Sequence, residues 1–201
     1  AELIENGLVK QEDMPRFMAN IHTEAVRLVA LIDDIIRLSQ LDEGDELPYE
    51  SVDLLSVAKE VAASLHDAAA AGKVKLTVTG ESVTIKAVRR LVSEIVFNLC
   101  DNAIKYNVQN GSVDVSVTSD GKDAVLTVRD TGIGIPVEHQ SRVFERFYRV
   151  DKSHSKESGG TGLGLSIVKH AAAYHNAKID MVSKVGQGTT VTVTFPIGDP
   201  E

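Results

Sequence analysis

The stretch DTGIGIP at residues 130–136 decides how the rest of this sequence is interpreted. The residues just before it are mostly apolar or β-branched and predict a β-strand that ends at Asp130. A carboxylate at a strand end can accept a hydrogen bond from an amine-bearing ring, and Gly132 and Gly134 let the backbone approach a flat ligand closely. An ordinary strand followed by a glycine and proline turn is the alternative, so other stretches must support a ligand site.

Composition limits the classes of protein to which the chain can belong. Its 201 residues are 43% hydrophobic and 25% charged, which is typical of a soluble globular chain with a buried core. The formal net charge of −8 argues against nonspecific nucleic-acid binding. The apolar runs are too short to span a bilayer, so we expect no membrane contact by this part of the protein. The single cysteine, Cys100, stands in a helical pattern and is predicted to be buried rather than reactive.

A long helix is predicted from Asp13 onwards, with Pro15 in its first turn. Phe17, Leu31 and Leu38 widen its apolar stripe and favour a four-helix bundle, and only a short helical stub precedes it. We therefore interpret residues 1–43 as half of a dimerisation module. The stripe itself has the alternating spacing of four and three that forms the seam of a coiled coil or bundle, at Met14, Met18, Ile21, Ala25, Leu28, Ile32 and Ile35.

The remainder of the chain is predicted to form a second domain. An acidic run with Gly44 and Pro48 indicates a linker at 44–49, followed by a domain at 50–201. Two predicted hairpins and interspersed helices indicate an α+β fold, in which a mixed sheet carries helices on one face. Helices are expected at 51–71, 87–106 and 163–175, and strands at 73–79, 82–86, 112–118, 124–130, 177–184 and 189–195.

One face of the helix predicted at 87–106 carries polar side chains suited to phosphate chemistry. Asn98 and Asn102 are four residues apart, and Lys105 and Tyr106 follow one turn later. Amide oxygens can complete the shell of a Mg²⁺ ion held by phosphates, a lysine neutralises phosphate charge, and a tyrosine ring can flank a base. A solvated face is the alternative, but such faces normally carry Glu and Lys, and asparagines are poor helix formers.

Two further stretches lie between residues 144 and 165. GGTGLGL at 159–165 runs into a helix, where glycine amides and the positive end of the helix dipole can bind an anion; a glycine-rich cap is the alternative. FERFYR at 144–149 can anchor a flexible lid, with Arg146 able to reach a terminal phosphate; a local hydrophobic turn is the alternative.

Together these stretches resemble the N, G1, F, G2 and G3 boxes of sensor histidine kinases, which belong to the wider family of Bergerat-fold ATPases. The matching segments are NLCDNAIKYN at 98–107, DTGIGIP, FERFYRV, GGTGLGLSIVKH and GQGT at 186–189, in the order and spacing of the family. The resemblance covers residues 51–197. The long helix is also similar to the second helix of the family's dimerisation and phosphoacceptor domain.

The resemblance implies a Bergerat-type α/β sandwich that binds ATP and Mg²⁺. The γ-phosphoryl group would pass to a histidine, for relay to an aspartate of a response regulator. Asp130 would receive the adenine amine, Asn98 and Asn102 would hold Mg²⁺, and residues 137–160 would form a lid. Catalysis would involve Asn98, Lys105 and Arg146. The residues implied in ATP binding are Asn98, Asn102, Lys105, Tyr106, Asp130, Gly132, Gly134, Ile135, Arg146, Phe147, Gly160, Thr161, Gly162, Leu163, Gly164, Leu165 and Thr189.

The sequence departs from the family at the acceptor histidine, which the family places on the first helix and follows with an acid. None of the six histidines fits: His22 lies on the second helix, and His66 precedes Asp67 but lies outside the bundle. We therefore expect the chain to begin after the acceptor. We also expect the parent protein to be a homodimer, anchored in the bacterial cell membrane with this part in the cytoplasm.

Two alternatives to a histidine kinase remain open. One is a gyrase-like or chaperone-like ATPase of the same fold, and the other is a binding module that uses nucleotide only as a conformational switch. The ATPases place a glutamate general base where Asn98 stands here, and an amide cannot abstract a proton, which disfavours hydrolysis. Steady ATP-dependent phosphorylation of a supplied acceptor domain would exclude the switch.

Overall fold

A computed structural model describes residues 2–6, 9–42, 47–150 and 161–198. Its helices are α1 (Glu2–Glu5), α2 (Met14–Asp42), α3 (Leu54–Ser64), α4 (His66–Ala71), α5 (Arg89–Lys105), α6 (Val137–Gln140) and α7 (Gly164–Tyr174). Its strands are β1 (Glu50–Asp53), β2 (Lys75–Gly80), β3 (Thr84–Ala87), β4 (Ser112–Ser119), β5 (Asp123–Asp130), β6 (Lys178–Lys184) and β7 (Gly188–Pro196).

Five strands form one mixed sheet in the order β2-β4-β5-β7-β6. β2 runs parallel to β4, and the other neighbouring pairs are antiparallel. β1 and β3 pair separately as an antiparallel ribbon. The register places Val115 opposite Val128 and Leu126 opposite Val193, so the apolar residues of neighbouring strands share one face of the sheet.

The helices pack on that apolar face. Every second residue of β4 and β5 is buried there, and α3, α5 and α7 cover these residues to form one core. On the opposite face the register pairs polar residues, as where Thr127 faces Thr192. This separation follows from the period of two along a strand, since successive side chains point to opposite faces. The predicted α+β fold with helices on one face of a mixed sheet is confirmed.

The helix predicted at 51–71 is wrong at its start and in its middle. Its first three residues belong to β1, which pairs with β3. Asp53 ends that strand and caps α3, because its Oδ1 accepts from the backbone N–H of Leu55 and Ser56 at 3.0 and 3.4 Å. A break at the buried Leu65 then separates α3 from α4. The other helices and strands predicted in this domain lie within two residues of their predicted bounds, and α6 is not among the predicted helices.

The long helix α2 begins at Met14 and contains 29 residues. Leu31 packs against Leu163 and Ile167, so α2 contacts the second domain beside the start of α7. An exposed apolar stripe is consistent with the predicted bundle seam, and the dimeric bundle itself stays a prediction. The exposed apolar side chains of α2 are Met18, Ile21, Val26, Leu28, Val29, Ile32 and Ile36. Residues 43–46, which include most of the acidic part of the predicted linker, lie outside the described residues.

Burial also bears out the interpretation of the single cysteine. Cys100 is fully buried within α5, and burial raises the pKa of its thiol to about 12. A thiol with so high a pKa stays protonated at neutral pH and is a poor nucleophile.

Within the described ranges no helix combines the length and the apolar character that crossing a bilayer requires.

Candidate functional site

Asp130 ends the central strand β5, next to β7. Its Oδ1 accepts two backbone hydrogen bonds, from Gly132 N at 2.7 Å and from Thr189 N at 3.1 Å. Burial raises the pKa of the carboxyl group, and these two hydrogen bonds oppose the rise. The carboxylate is thus held in one orientation by residues on both sides of it, and Oδ2 is left to accept from another donor.

The loop that follows Asp130 packs too closely for side chains at its glycines. A Cβ at Gly132 would clash with the carbonyl oxygen of Tyr106, and a Cβ at Gly134 would clash with the backbone of β6. Gly134 also has a φ of 69°, which favours glycine. Ile133 N donates to the Tyr106 carbonyl at 3.0 Å, so the loop is joined to the C-terminal end of α5. The structure therefore brings Asp130, both glycines and the backbone of Tyr106 together.

Asn98 and Asn102 lie on the face of α5 that meets the start of α7. A Cβ at Gly164 would lie 2.7 Å from Asn98 Oδ1 and 3.7 Å from Asn102 Nδ2, so a side chain there would clash with Asn98. Asn98 Nδ2 donates to the Glu94 carbonyl at 2.8 Å, which leaves Asn98 Oδ1 directed toward Gly164. Both asparagines therefore lie beside a helix N-terminus, where backbone N–H groups and the helix dipole favour an anion.

The stretch at 144–149 contacts the glycine-rich stretch directly. Phe147 N donates to the Gly162 carbonyl at 2.9 Å, and the two residues have positive φ angles of 63° and 76°. The side chain of Phe147 is 57% exposed, so this contact depends on the backbone rather than on the ring. Gly160 and the part of the predicted lid at 151–160 lie outside the described residues.

The two cations assigned to phosphate contact have protein partners here. Lys105 Nζ pairs with Asp101 Oδ2 at 2.6 Å, one turn earlier on α5. Arg146 Nη2 lies 3.1 Å from His170 Nε2 on α7. Both cationic side chains are exposed, and an exposed ion pair such as that of Lys105 contributes about 1 kcal/mol or less. Lys105 can therefore change its partner for a phosphate oxygen at small cost.

Two predicted ligands, Leu163 and Leu165, have side chains that pack elsewhere. Leu163 is fully buried and packs against Ile167 and Leu31, while Leu165 packs against the main core. Thr161 Oγ1 accepts from Leu163 N at 3.3 Å and shapes the turn before α7. Only the backbone groups of the two leucines remain to face a ligand.

Sequence reasoning missed three polar residues that hold the site together. Ser183 Oγ accepts from Ile135 N at 2.8 Å, and Gln140 Nε2 donates to the Ile135 carbonyl at 2.8 Å. Asn107 Nδ2 donates to two carbonyls, one in the last turn of α5 and one at the start of β4, at 2.9 and 3.0 Å. These side chains tie the loop after β5 and the end of α5 to their neighbours.

Ser183 had a usable sequence signal. In β6 the alternate residues Ile179 and Met181 pack against the core, and Ser183 is the next residue on that face. A hydroxyl on an apolar face needs a hydrogen-bond partner, so its position alone indicates a local role. Asn107 and Gln140 carry no such signal, because each lies at the end of a helix, where polar residues are ordinary.

Known proteins that resemble the chain point to one family. Residues 87–199 match the family described as histidine kinase-, DNA gyrase B-, and HSP90-like ATPase. The sensor-like histidine kinase SenX3 of Mycolicibacterium smegmatis is 40% identical over 191 residues, covering 92% of this chain and 49% of SenX3. The sensor histidine kinase YkoH of Bacillus subtilis is 36% identical over 189 residues, covering 94% of this chain and 41% of YkoH. The chain thus spans less than half the length of these relatives.

A solved structure extends the likeness to the fold. The histidine kinase ThkA, in complex with the response regulator protein TrrA, matches with a TM-score of 0.75 at 20% identity, over 96% of this chain and 54% of that chain. The family match contains α5, the loop after β5, α7 and the last two strands, which are the elements that build the site. The chain therefore belongs to the family of histidine kinase-, DNA gyrase B-, and HSP90-like ATPases, and it contains the ATP-binding catalytic domain found in sensor histidine kinases.

Proposed function

We propose that the chain binds ATP between α5, β5 and α7 and donates the γ-phosphoryl group to a histidine on an acceptor helix. The geometry of Asp130 carries the proposal. Two backbone N–H groups occupy one carboxylate oxygen, and the other oxygen can accept from the 6-amino group of adenine. Guanine has a carbonyl at that position, so the carboxylate would face a second acceptor.

The asparagines and the start of α7 suit the triphosphate end of the nucleotide. The amide oxygens of Asn98 and Asn102 are of the type that Mg²⁺ prefers, and both side chains lie beside Gly164 at the start of α7. A Mg²⁺ ion bound there would neutralise phosphate charge. Lys105 and Arg146 would leave their present partners to contact phosphate oxygens.

ATP hydrolysis as the main reaction is disfavoured by the residues of α5. Asn98 cannot act as a base, and its amide nitrogen is engaged with the Glu94 carbonyl. Of the Glu94 carboxylate, Oε1 accepts from Arg90 at 3.2 Å, and the buried Oε2 has no hydrogen-bond partner among the described residues. An amide at the position where gyrase-like and chaperone-like ATPases carry a glutamate base is better suited to phosphoryl donation than to activation of water.

The proposed partners follow from the rest of the chain. The exposed apolar stripe of α2 supports a homodimer of the parent protein, built through a helical bundle. A response-regulator receiver domain would take the phosphoryl group from the acceptor histidine, and ThkA is itself in complex with a response regulator. The net charge of −8 gives no footprint for nucleic acid. We place this part in the cytoplasm, with the parent protein anchored in the membrane.

Calorimetric titration with ATP and GTP tests the proposal. We expect ATP to bind about tenfold or more tightly than GTP, because a mismatched, half-buried carboxylate costs one to a few kcal/mol. Asp130→Asn should weaken ATP binding by about the same factor, since its amide oxygen would serve the two backbone N–H groups and its NH₂ group would face the adenine amine.

Asp120→Asn is the matched control for this titration. Asp120 lies in the exposed turn between β4 and β5, where its Oδ1 also accepts two backbone hydrogen bonds, at 2.9 and 2.8 Å. That variant should bind ATP as the parent does. Equal affinities for ATP and GTP, or an unaffected Asp130→Asn variant, would contradict the proposal.

A further inference from the structure

We propose that Ser183 is a positioning residue for the adenine pocket, which acts through the loop at 131–136 and through Thr189. The inference rests on the ATP site proposed above. It adds a residue of β6 that belongs to none of the sequence motifs of the site.

The hydroxyl of Ser183 joins two segments that flank Asp130. Its oxygen accepts from Ile135 N at 2.8 Å, at the far end of the loop that follows Asp130. It also lies 2.8 Å from Thr189 Oγ1 and 3.2 Å from the carbonyl of Gly188. Thr189 N in turn donates to Asp130 Oδ1, so one hydroxyl connects the loop with the residue that orients the carboxylate.

The single proton of the Ser183 hydroxyl determines whether the Thr189 hydroxyl can donate to a ligand. A hydroxyl has one proton and two lone pairs, and one lone pair of Ser183 takes the N–H of Ile135. If the Ser183 hydroxyl donates to the Gly188 carbonyl, the Thr189 hydroxyl must donate to Ser183 Oγ. Thr189 Oγ1 can then only accept a hydrogen bond from a ligand. If that proton goes to Thr189, the Thr189 hydroxyl is free to donate. Adenine requires a donor at its ring nitrogen beside the amine, so the second arrangement favours adenine over guanine.

The loop has a second attachment that does not use this hydroxyl. Gln140 Nε2 donates to the carbonyl of Ile135 at 2.8 Å and to the carbonyl of Ser183 at 3.0 Å. Replacing Ser183 by alanine leaves both of these bonds in place. We therefore expect Ser183→Ala to keep the fold and to lose only the contacts of the hydroxyl.

The test compares Ser183→Ala with the parent and with Ser119→Ala. Ser119 is a matched control, because its hydroxyl also joins backbone groups, donating to Asp123 O at 3.1 Å and accepting from Gly121 N at 3.0 Å, in the turn between β4 and β5. The affinities for ATP, GTP and inorganic triphosphate are measured by calorimetry. The exchange rate of the Ile135 amide proton is measured by NMR without nucleotide.

We expect Ser183→Ala to bind ATP about three- to tenfold more weakly, the range that one hydrogen bond typically contributes. Affinity for inorganic triphosphate should stay unchanged, GTP should change less than ATP, and the Ile135 amide should exchange faster. Ser183→Thr keeps the hydroxyl and should restore the ATP affinity, and Ser119→Ala should match the parent in nucleotide binding.

Parental ATP affinity with parental Ile135 exchange in Ser183→Ala would overturn the inference. An equal loss for ATP, GTP and triphosphate would also overturn it, because the effect would then be a general loosening. If the parent bound no ATP, the proposed function would fail, and the exchange of Ile135 alone would decide whether Ser183 positions the loop.

Discussion

Asn102 is the residue whose proposed role depends most directly on a metal ion. It lies on α5 beside Gly164, and in the proposed site its amide oxygen would join the shell of a Mg²⁺ ion held mainly by phosphates. Asn102→Ala removes that oxygen, so ATP should bind the variant with little dependence on Mg²⁺. In the parent, Mg²⁺ should strengthen ATP binding by about tenfold or more, a difference of about 1.4 kcal/mol.

The measurement is a titration of ATP with and without Mg²⁺ on both proteins. Asn20→Ala is the control, because Asn20 is an exposed helical asparagine of α2, far along the chain from the site. That variant should keep the Mg²⁺ dependence of the parent. If Asn102→Ala keeps it as well, the metal role of Asn102 is wrong.

At the scale of elements, a buried histidine ties α5 to α7 at the ends that lie away from the proposed site. Val88 N, just before α5, donates to His175 Nε2 at 2.9 Å, and His175 Nδ1 donates to a carbonyl one turn earlier in α7 at 2.7 Å. These partners require the neutral imidazole with its proton on Nδ1. The ring makes edge contacts with Tyr49, Tyr174 and Phe195, so it also holds the segment that leads into β1.

Stability should consequently depend on pH through His175. Burial lowers the pKa of His175, and its hydrogen bond to the carbonyl opposes this change. An unfolded histidine titrates near pH 6.5, so below that pH the unfolded state binds more protons than the folded state. The contribution is therefore fully present above about pH 6.5 and is lost as the pH falls below it. Burial raises the pKa of Tyr49, so its hydroxyl stays neutral throughout this range.

Urea unfolding between about pH 7.5 and pH 5 measures this effect. The free energy of unfolding of the parent should decrease as the pH is lowered over this range. In His175→Gln it should decrease less. His22→Gln on the exposed surface of α2 should behave as the parent does. The same pH dependence in the parent and in His175→Gln would show that another group titrates.

For the molecule as a whole, we expect that none of the chain's own histidines accepts the phosphoryl group. None of the six histidines has the acceptor motif. The long helix α2 nevertheless packs beside the start of α7, next to the proposed nucleotide site. Incubated alone with radiolabelled ATP, the chain should bind nucleotide without acquiring acid-labile label on histidine. A separate chain with the acceptor helix should be labelled slowly, because the tether that raises the effective concentration is missing.

His66 is the residue that can contradict this prediction. It is exposed at the start of α4 and precedes Asp67, which imitates the first two residues of the acceptor motif. Acid-labile label that disappears in His66→Ala would mean that the acceptor lies in this domain. Label that persists in His66→Ala and in His22→Ala would place it on another histidine.

Local patterns in the sequence predict most of the helices and strands and mark the residues proposed for the site. The strand before Asp130, the glycines that follow it and the helical spacing of Asn98 and Asn102 are local patterns, and each depends on residues within a few positions of one another. For this reason the strands other than β1 and the polar face of α5 could be predicted. The roles assigned to these residues in binding ATP and Mg²⁺ stay proposals.

Only the tertiary structure decided which of these parts meet. Asn98 lies beside Gly164, and Thr189 orients Asp130, across separations of about sixty residues that no local pattern encodes. The same holds for β1, where pairing with β3 overrides the helical pattern that predicted a helix from residue 51. Ser183 lies in an ordinary strand whose alternation marks it as inward-facing, and only the packed loop supplies the partner of its hydroxyl. Long-range contacts determine whether a segment forms a helix or a strand, because they bury apolar surface and satisfy polar groups that a short segment cannot satisfy alone.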